Sequence, residues 1–327
     1  MAVLAAAGVR RDQVTSWREL AGGTFNAVYL VRRADGGGLV VKLAPDQAGP
    51  LLRYERGILA TEAMYYQAAA RQAGVTVPSV IDVDAGSGVV PGGYLVMSEC
   101  AGRPWHDLSP VLASQDRDEL RAELGRQMAV LHTITGAGFG YPSSAVGPLR
   151  PAWPAAFLDM VDAVLADATR YAVTLPRPAA ETRDLFQAMA PVLEQVRAPV
   201  LVHFDLWDGN ILVDLDGAAP RIGALIDAER AFWGDPLADF VSLALFGDIE
   251  QDAAFLRGYR SAGGTVAFDA ATRLRLSMYR AYLYLIMWVE AVPRNSGQTR
   301  LARLRQLVLE PLAATLDDWS RTPGPAG

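Results

Sequence analysis

Lysine is almost missing from this chain: of 30 basic residues, 29 are arginine and one is lysine, Lys42. Cysteine is equally scarce. The single Cys100 excludes an intrachain disulfide and a cysteine-rich metal site, and it fits a reducing cytosol. The three histidines, His106, His132 and His203, stand too far apart in sequence to read as a zinc cluster. Long apolar runs are absent as well. The densest, Tyr282 to Val289, falls far short of the roughly 20 residues that cross a bilayer. The N-terminal MAVLAAAGVRR has no positive charge ahead of its apolar stretch, so no signal peptide is expected and the chain reads as cytoplasmic. With a net charge of −6 it lacks the basic footprint of a nucleic-acid binder or of a polybasic membrane anchor, so neither partner is expected.

What the chain has is apolar material. Its 327 residues are 51% hydrophobic, enough for a core of more than one layer and for two lobes. Residues 14–34 read as strand, glycine-rich turn and strand, and Asp35-Gly36-Gly37-Gly38 turns the chain into a third strand, Leu39 to Leu43. Leu52, Glu55, Leu59, Glu62 and Tyr66 recur at helical spacing, which predicts a helix over 51–73, and two more strands are expected at 79–84 and 94–98. Beyond Gly102 the pattern turns helical, with helices near 115–134, 155–169, 181–196, 236–246, 251–262, 270–292 and 299–319. A proline- and glycine-rich stretch covers 136–154, and a short β-rich segment covers 199–228. The expected fold class is α+β and bilobal: an N-terminal lobe at 1–98, a hinge at 99–103 and a helical lobe at 104–327, with the ligand site in the cleft between lobes. The charge is uneven, because residues 1–100 balance nine basic against nine acidic side chains while the remainder carries the whole negative excess.

The segment from Leu201 to Val213 holds His203-x-Asp205-x-x-x-x-Asn210 between apolar, strand-like flanks, and Leu225-Ile226-Asp227 follows a short turn. Phosphoryl transfer needs this set of residue types. One carboxylate orients the attacking hydroxyl and accepts its proton, while an amide and a second carboxylate hold the metal that neutralises the triphosphate. Asp205 is the expected base; Asn210 and Asp227 are the expected metal ligands. Singly, each of these residues reads equally well as a turn or strand-end residue, and the weight lies in the ordered set.

In that order the residues resemble the aminoglycoside phosphotransferase group of the protein-kinase-like superfamily, which includes kinases of antibiotics, choline and fructosamines. The likeness covers roughly residues 15–320. It implies a bilobal protein-kinase-like fold and transfer of the γ-phosphoryl group of ATP, as its Mg²⁺ complex, to a hydroxyl of a small-molecule acceptor. It also implies that Lys42, at the end of the third strand, meets nucleotide phosphates, with Glu62 rather than Glu55 as its acidic partner. Met97-Ser98-Glu99 and Gly102 are similar to the hinge, where the main chain of Ser98 and Cys100 would meet the adenine edge. Of the glycine-rich loop only Gly23 matches. The triplet Asp227-Ala228-Glu229 replaces Asp-Phe-Gly, and Ala-Pro-Glu is missing, which speaks against a protein kinase.

The acceptor is the least specified part. Asp208 and Glu229 flank the catalytic positions, Asp159 and Asp162 lie on the helix after the proline-rich stretch, and Glu290 ends the aromatic helix. If they face the cleft, such carboxylates favour a cationic, antibiotic-like acceptor such as an aminoglycoside; solvated helix faces are commonly acidic too. The Leu206-Trp207-x-Gly209-Asn210 segment is also like that of fructosamine kinases, so a metabolite kinase is the alternative, and a nucleotide-binding pseudokinase is the alternative of another class. His203 is expected to pack beneath the loop and bond backbone, and Asp235 and Asp239 are expected to brace it.

Overall fold

A computed structural model describes residues 1–20, 25–46, 48–86 and 88–322. A short helix α1 (Ala2–Ala6) precedes strands β1 (Val14–Glu19), β2 (Ala27–Arg33) and β3 (Gly38–Leu43). Helix α2 (Ile58–Ala69) then leads to β4 (Val80–Asp84) and β5 (Tyr94–Ser98). The five strands form one antiparallel sheet in the order β1-β2-β3-β5-β4. Side-chain alternation along β3 divides its residues between two apolar clusters. Leu39 and Val41 join Val3 and Leu4 of α1 on one side, and Val40 on the other packs towards Leu95, Met97 and α2. Lys42 follows the second set, so alternation alone turns the lone lysine inward.

The expected helix over 51–73 begins later than its periodicity suggests. Residues Arg53–Glu55 form a 3-10 turn, and Gly57, at φ +72°, breaks the chain direction before α2 starts. Glu55 serves that turn: its carboxylate accepts the Leu52 N–H at 2.7 Å. Helix α2 is buried on nearly every side, which is why its pattern carries no polar stripe.

After β5, β6 (Arg103–Pro104) and α3 (Trp105–Leu108) precede α4 (Ser114–Leu131), α5 (Trp153–Arg170) and α6 (Ala179–Met189). The expected helix at 181–196 is instead α6 followed by a 3-10 stretch, Ala190–Gln195, with Pro191 at the change. Strands β7 (Val200–Val202), β8 (Ile211–Asp214), β9 (Arg221–Leu225) and β10 (Phe232–Gly234) make two small sheets, β10-β7 and β6-β8-β9. The expected β-rich segment thus runs a few residues further, to β10. Then come α7 (Leu237–Leu243), α8 (Ala253–Ser261), α9 (Ala270–Val289), α10 (Gln298–Leu304) and α11 (Glu310–Arg321), the last two separated by a π-helical turn, Arg305–Leu309, within what periodicity reads as one helix. Among the described residues no helix is long and apolar enough to cross a membrane.

Helix α9 is the axis of the helical region. Tyr279 and Tyr282 are fully buried against Trp153 and Phe157 of α5, and Trp153 in turn stacks on Phe232 of β10. Helices α4 and α8 cross closely through two glycines: a β-carbon on Gly258 would stand 1.9 Å from the Ala122 carbonyl oxygen, and one on Gly125 2.2 Å from that of Phe255. Backbone cannot yield as a flexible side chain does. Gly258→Ala is expected to lower stability by roughly 1–3 kcal/mol in urea unfolding, whereas Gly263→Ala, with nothing near its added carbon, exposes only the strain of its positive φ.

Candidate active site

Lys42 Nζ lies 2.7 and 2.9 Å from the two oxygens of Glu62 on α2 and 2.5 Å from Asp227 Oδ1, just past β9. Burial opposes the ammonium charge, but Asp227 and Glu62 outweigh it and push the lysine well above its usual range. Burial likewise opposes ionisation of Asp227, and Lys42 overrides it and holds that carboxyl low. Glu62, wholly buried, is raised by desolvation against the pull of Lys42. Tyr66, one turn along α2 from Glu62, donates its hydroxyl to Glu62 at 2.6 Å and accepts the Asp227 N–H at 2.8 Å. Helix, strand and β9 end are therefore tied by one lysine and one tyrosine. Glu55, the other acidic residue on the predicted helix, takes Arg294 instead, at 2.5 Å.

The segment between β7 and β8 carries Asp205. Asp239 on α7 accepts the N–H groups of His203 and Phe204 on the same oxygen, at 2.9 and 2.7 Å, and its other oxygen meets His132 Nε2 at 3.0 Å. His203 is buried, and its Nε2 meets the Ile226 carbonyl at 3.0 Å, joining the loop to the residue before Asp227. Asn210 donates Nδ2 to the Asp205 carbonyl at 2.8 Å, which leaves its Oδ1 as the group able to face a cation. Phe204 and Asp227 both take left-handed backbone, with φ of 62° and 64°. For non-glycine residues that conformation costs on the order of 1–3 kcal/mol each and persists where the surroundings over-determine it. Here the Phe204 ring, 5.0 Å from that of Phe232 and 5.7 Å from that of Tyr282, and its bonded amide do so.

Burial pushes the Asp205 carboxyl up to about 7, against the pull of Arg230. Arg230 Nη1 lies 3.3 Å from Asp205 Oδ1, and its Nη2 is 2.9 Å from Glu290. Glu290 also meets Arg294, at 3.2 Å, and accepts the Tyr54 hydroxyl at 3.3 Å. Sequence reading missed both arginines and Tyr66. Arg230, three residues after Asp227, and Tyr66, four after Glu62 on one helix face, carry a local signal; Arg294 carries none.

The remaining sequence-predicted residues scatter. Glu229, expected beside an acceptor, stands instead with Glu62 and Asp227, the three offering oxygens all within 4.8 Å of one another, and it accepts Asn26 Nδ2 at 2.7 Å. The reason is the 3-10 turn Ala228–Arg230, which folds Glu229 back over Asp227. Glu290 is buried against two arginines, Asp159 pairs with Arg150 at 2.6 Å, Asp162 with Arg183 at 2.5 Å, and Asp208 lies 3.8 Å from Arg121. None is a bare carboxylate. At the hinge, the Ser98 N–H is donated to the Ser79 carbonyl at 2.9 Å, so of its main chain only the carbonyl is left for a ligand edge. Cys100 is half-buried, and desolvation raises its thiol. Gly23 lies outside the described residues.

Asp239 holds two buried backbone N–H groups, those of His203 and Phe204. Asp239→Ala is expected to cost roughly 2–5 kcal/mol in urea unfolding, with faster hydrogen exchange at the His203 and Phe204 amides; an unchanged midpoint would remove the bracing role.

Comparison with known proteins follows the same lines. Solved structures superpose over nearly the whole chain. A Thermobifida fusca protein assigned as a fructosamine-3-kinase matches with a TM-score of 0.70 at 22% identity, covering 98% of this chain and 99% of its own. A thermostable mutant of aminoglycoside phosphotransferase APH(4)-Ia, in ternary complex with AMP-PNP and hygromycin B, matches with a TM-score of 0.63 at 20% identity, covering 98% of both chains. At these identities the likeness establishes the protein-kinase-like fold. Among curated proteins, a Synechocystis sp. protein assigned as a ketoamine kinase is 31% identical over 148 residues, 42% of this chain and 46% of its own. Acyl-CoA dehydrogenase family member 10 of Mus musculus is 25% identical over 244 residues, 73% of this chain and 21% of its own. The chain thus spans less than half the length of these curated relatives. A sequence model of the phosphotransferase enzyme family matches residues 16–277, and the chain belongs to that family.

Proposed function

We propose that this chain is an ATP-dependent small-molecule kinase that transfers the γ-phosphoryl group to a hydroxyl of a sugar-derived metabolite of the ketosamine class. The observation that carries the phosphotransfer reading is the convergence of Lys42 and Asp227, 2.5 Å apart, with Asn210 bonded to the Asp205 carbonyl at 2.8 Å. Asp205 accepts the proton of the acceptor hydroxyl as its oxygen bonds to the γ-phosphorus and the bond to the ADP oxygen breaks. Lys42, held by Glu62, meets phosphate oxygens as a point charge. The main chain of Cys100 and the Ser98 carbonyl meet the adenine edge, and Gly23 belongs to the loop over the phosphates.

Three clustered carboxylates form an oxygen-donor set suited to a hard divalent cation. In this reading Asp227 and Glu229, with Asn210, hold Mg²⁺, which neutralises phosphate charge when bound. The protein supplies position and electrostatics, since phosphoryl transfer needs little covalent help.

For the acceptor, the pairing of the acidic residues supports one of the two small-molecule readings over the other. A polycationic aminoglycoside calls for unpaired carboxylates, and Asp159, Asp208 and Glu290 each already meet an arginine. A neutral or singly charged sugar derivative needs hydrogen-bonding groups instead, which favours the ketosamine class. The fructosamine-3-kinase and ketoamine kinase assignments of two relatives support the same order. The aminoglycoside reading stands second, on the likeness to the hygromycin B complex. The pseudokinase reading is disfavoured by the presence of every carboxylate that the chemistry needs.

Two outcomes follow. Asp205→Ala is expected to lower phosphoryl transfer by at least about 10³-fold while leaving nucleotide affinity within a few-fold, read by ADP release and by calorimetry with AMP-PNP; full turnover in that variant would overturn the assignment. Across an acceptor panel followed by mass spectrometry, a phosphate adduct of mass 80 Da (about one HPO₃) is expected on a ketosamine and not on an aminoglycoside, and the reverse result would restore the antibiotic reading.

A further inference from the structure

Asn26 has no part in the chemistry described so far, yet its side chain enters the cation site. Val28 pairs across β2 and β3 with Lys42, so Asn26, two residues earlier, emerges on the same face of the sheet as the lysine. Asn26 is 9% exposed, and its Nδ2 donates to Glu229 Oε2 at 2.7 Å. Its other amide atom, Oδ1, is fully buried and has no hydrogen-bond partner. A buried amide oxygen left in that state costs roughly 1–3 kcal/mol, and such an atom beside three carboxylates calls for a donor that the chain itself does not provide. Phe25, the neighbouring residue, has the Arg294 guanidinium 5.1 Å from its ring centre. The stem of the glycine-rich loop is therefore pinned to the metal-binding segment by one residue and to the Arg294–Glu290 network by the next.

We propose that Asn26 is a positioning residue of the cation site: its amide fixes Glu229 as the third carboxylate beside Asp227, and its free Oδ1 is reserved for the hydrated divalent cation that accompanies a nucleoside triphosphate. The inference rests on the phosphotransfer reading and adds a residue to it. A merely structural Asn26 would stabilise the loop without altering how nucleotide binding depends on the metal.

The test measures AMP-PNP affinity by calorimetry over a series of Mg²⁺ concentrations for the wild type, Asn26→Ala, Glu229→Gln and the double variant, with Mn²⁺ binding followed by electron paramagnetic resonance. Asn26→Ala is expected to raise the Mg²⁺ concentration for half-maximal binding about tenfold, the range seen when a group orienting a metal ligand is removed, and to leave ADP binding in EDTA within twofold. Because Asn26 acts through Glu229, the double variant should bind the metal complex no more weakly than Glu229→Gln alone. Asn26→Leu, which keeps the side-chain volume, should repeat the tenfold loss if alanine disturbs the loop. Wild-type Mg²⁺ dependence in Asn26→Ala and Asn26→Leu, or multiplying effects in the double variant, would overturn the inference while leaving the phosphotransfer reading standing. Nucleotide binding by the wild type that ignores divalent cations would overturn both.

Discussion

One buried ammonium holds the two halves of the site in register. Lys42 on β3 meets Glu62 on α2 and Asp227 beyond β9, so a strand, a helix and the segment that follows β9 share one positive charge. Removing one partner of such a cluster leaves an uncompensated charge away from water, which costs several kcal/mol, whereas the intact cluster adds little net stability. Its worth is in geometry. Under the proposed function the lysine is also exchangeable: phosphate oxygens and a divalent cation replace the Lys42–Asp227 contact, and Glu62 keeps the ammonium aimed. The scarcity of lysine elsewhere gives this position its prominence in the sequence, and the alternation of β3 accounts for its inward direction.

Around that charge, the segments that carry Asp205 and Asp227 are held in conformations that their residues do not prefer. Phe204 and Asp227 both take left-handed backbone. Each is fixed from outside its own loop: Phe204 by Asp239 and by the aromatic stack with Phe232 and Tyr282, Asp227 by the Tyr66 hydroxyl and by Lys42. The braces are in turn supported. His132, itself bonded to Tyr259, holds Asp239; Asp235, held by Tyr279 and Arg275, accepts the Leu237 N–H of its own turn and not a group of the loop it was expected to brace. Asp205 thus sits in a partly buried, braced setting, where a carboxylate with a raised pKa suits proton acceptance near neutral pH.

Much of this was legible because it is local. The His203-x-Asp205-x-x-x-x-Asn210 spacing, the Asp227 strand end and the place of Lys42 at the end of the third strand are short-range patterns, and the expected brace on the loop is found for Asp239. What escaped depended on tertiary contact. Arg294 reaches Glu290 and Glu55 from beyond α9, and nothing in its neighbourhood of sequence marks it. Glu229 was misdirected towards the acceptor because the 3-10 turn after Asp227 reverses it, a turn that Asp227-Ala228-Glu229-Arg230 does not announce. The acidic excess of the helical region likewise gave no account of position: Asp159, Asp162 and Glu290 each meet an arginine, which a count of charges along the chain does not reveal. Helix boundaries shifted where a single residue intervenes, Gly57 before α2 and Pro191 after α6.

The central claim is that Lys42 exchanges one carboxylate for nucleotide phosphate while the divalent cation takes its place on Asp227. A crystal structure of the chain with Mg²⁺ and AMP-PNP tests it directly. The account predicts Lys42 still bonded to Glu62, released from Asp227 and within hydrogen-bond distance of phosphate oxygens, with the cation on Asp227, Asn210 and Glu229 and the γ-phosphate facing Asp205. A nucleotide bound away from Lys42, or a cation that leaves the Lys42–Asp227 bond intact, would contradict it.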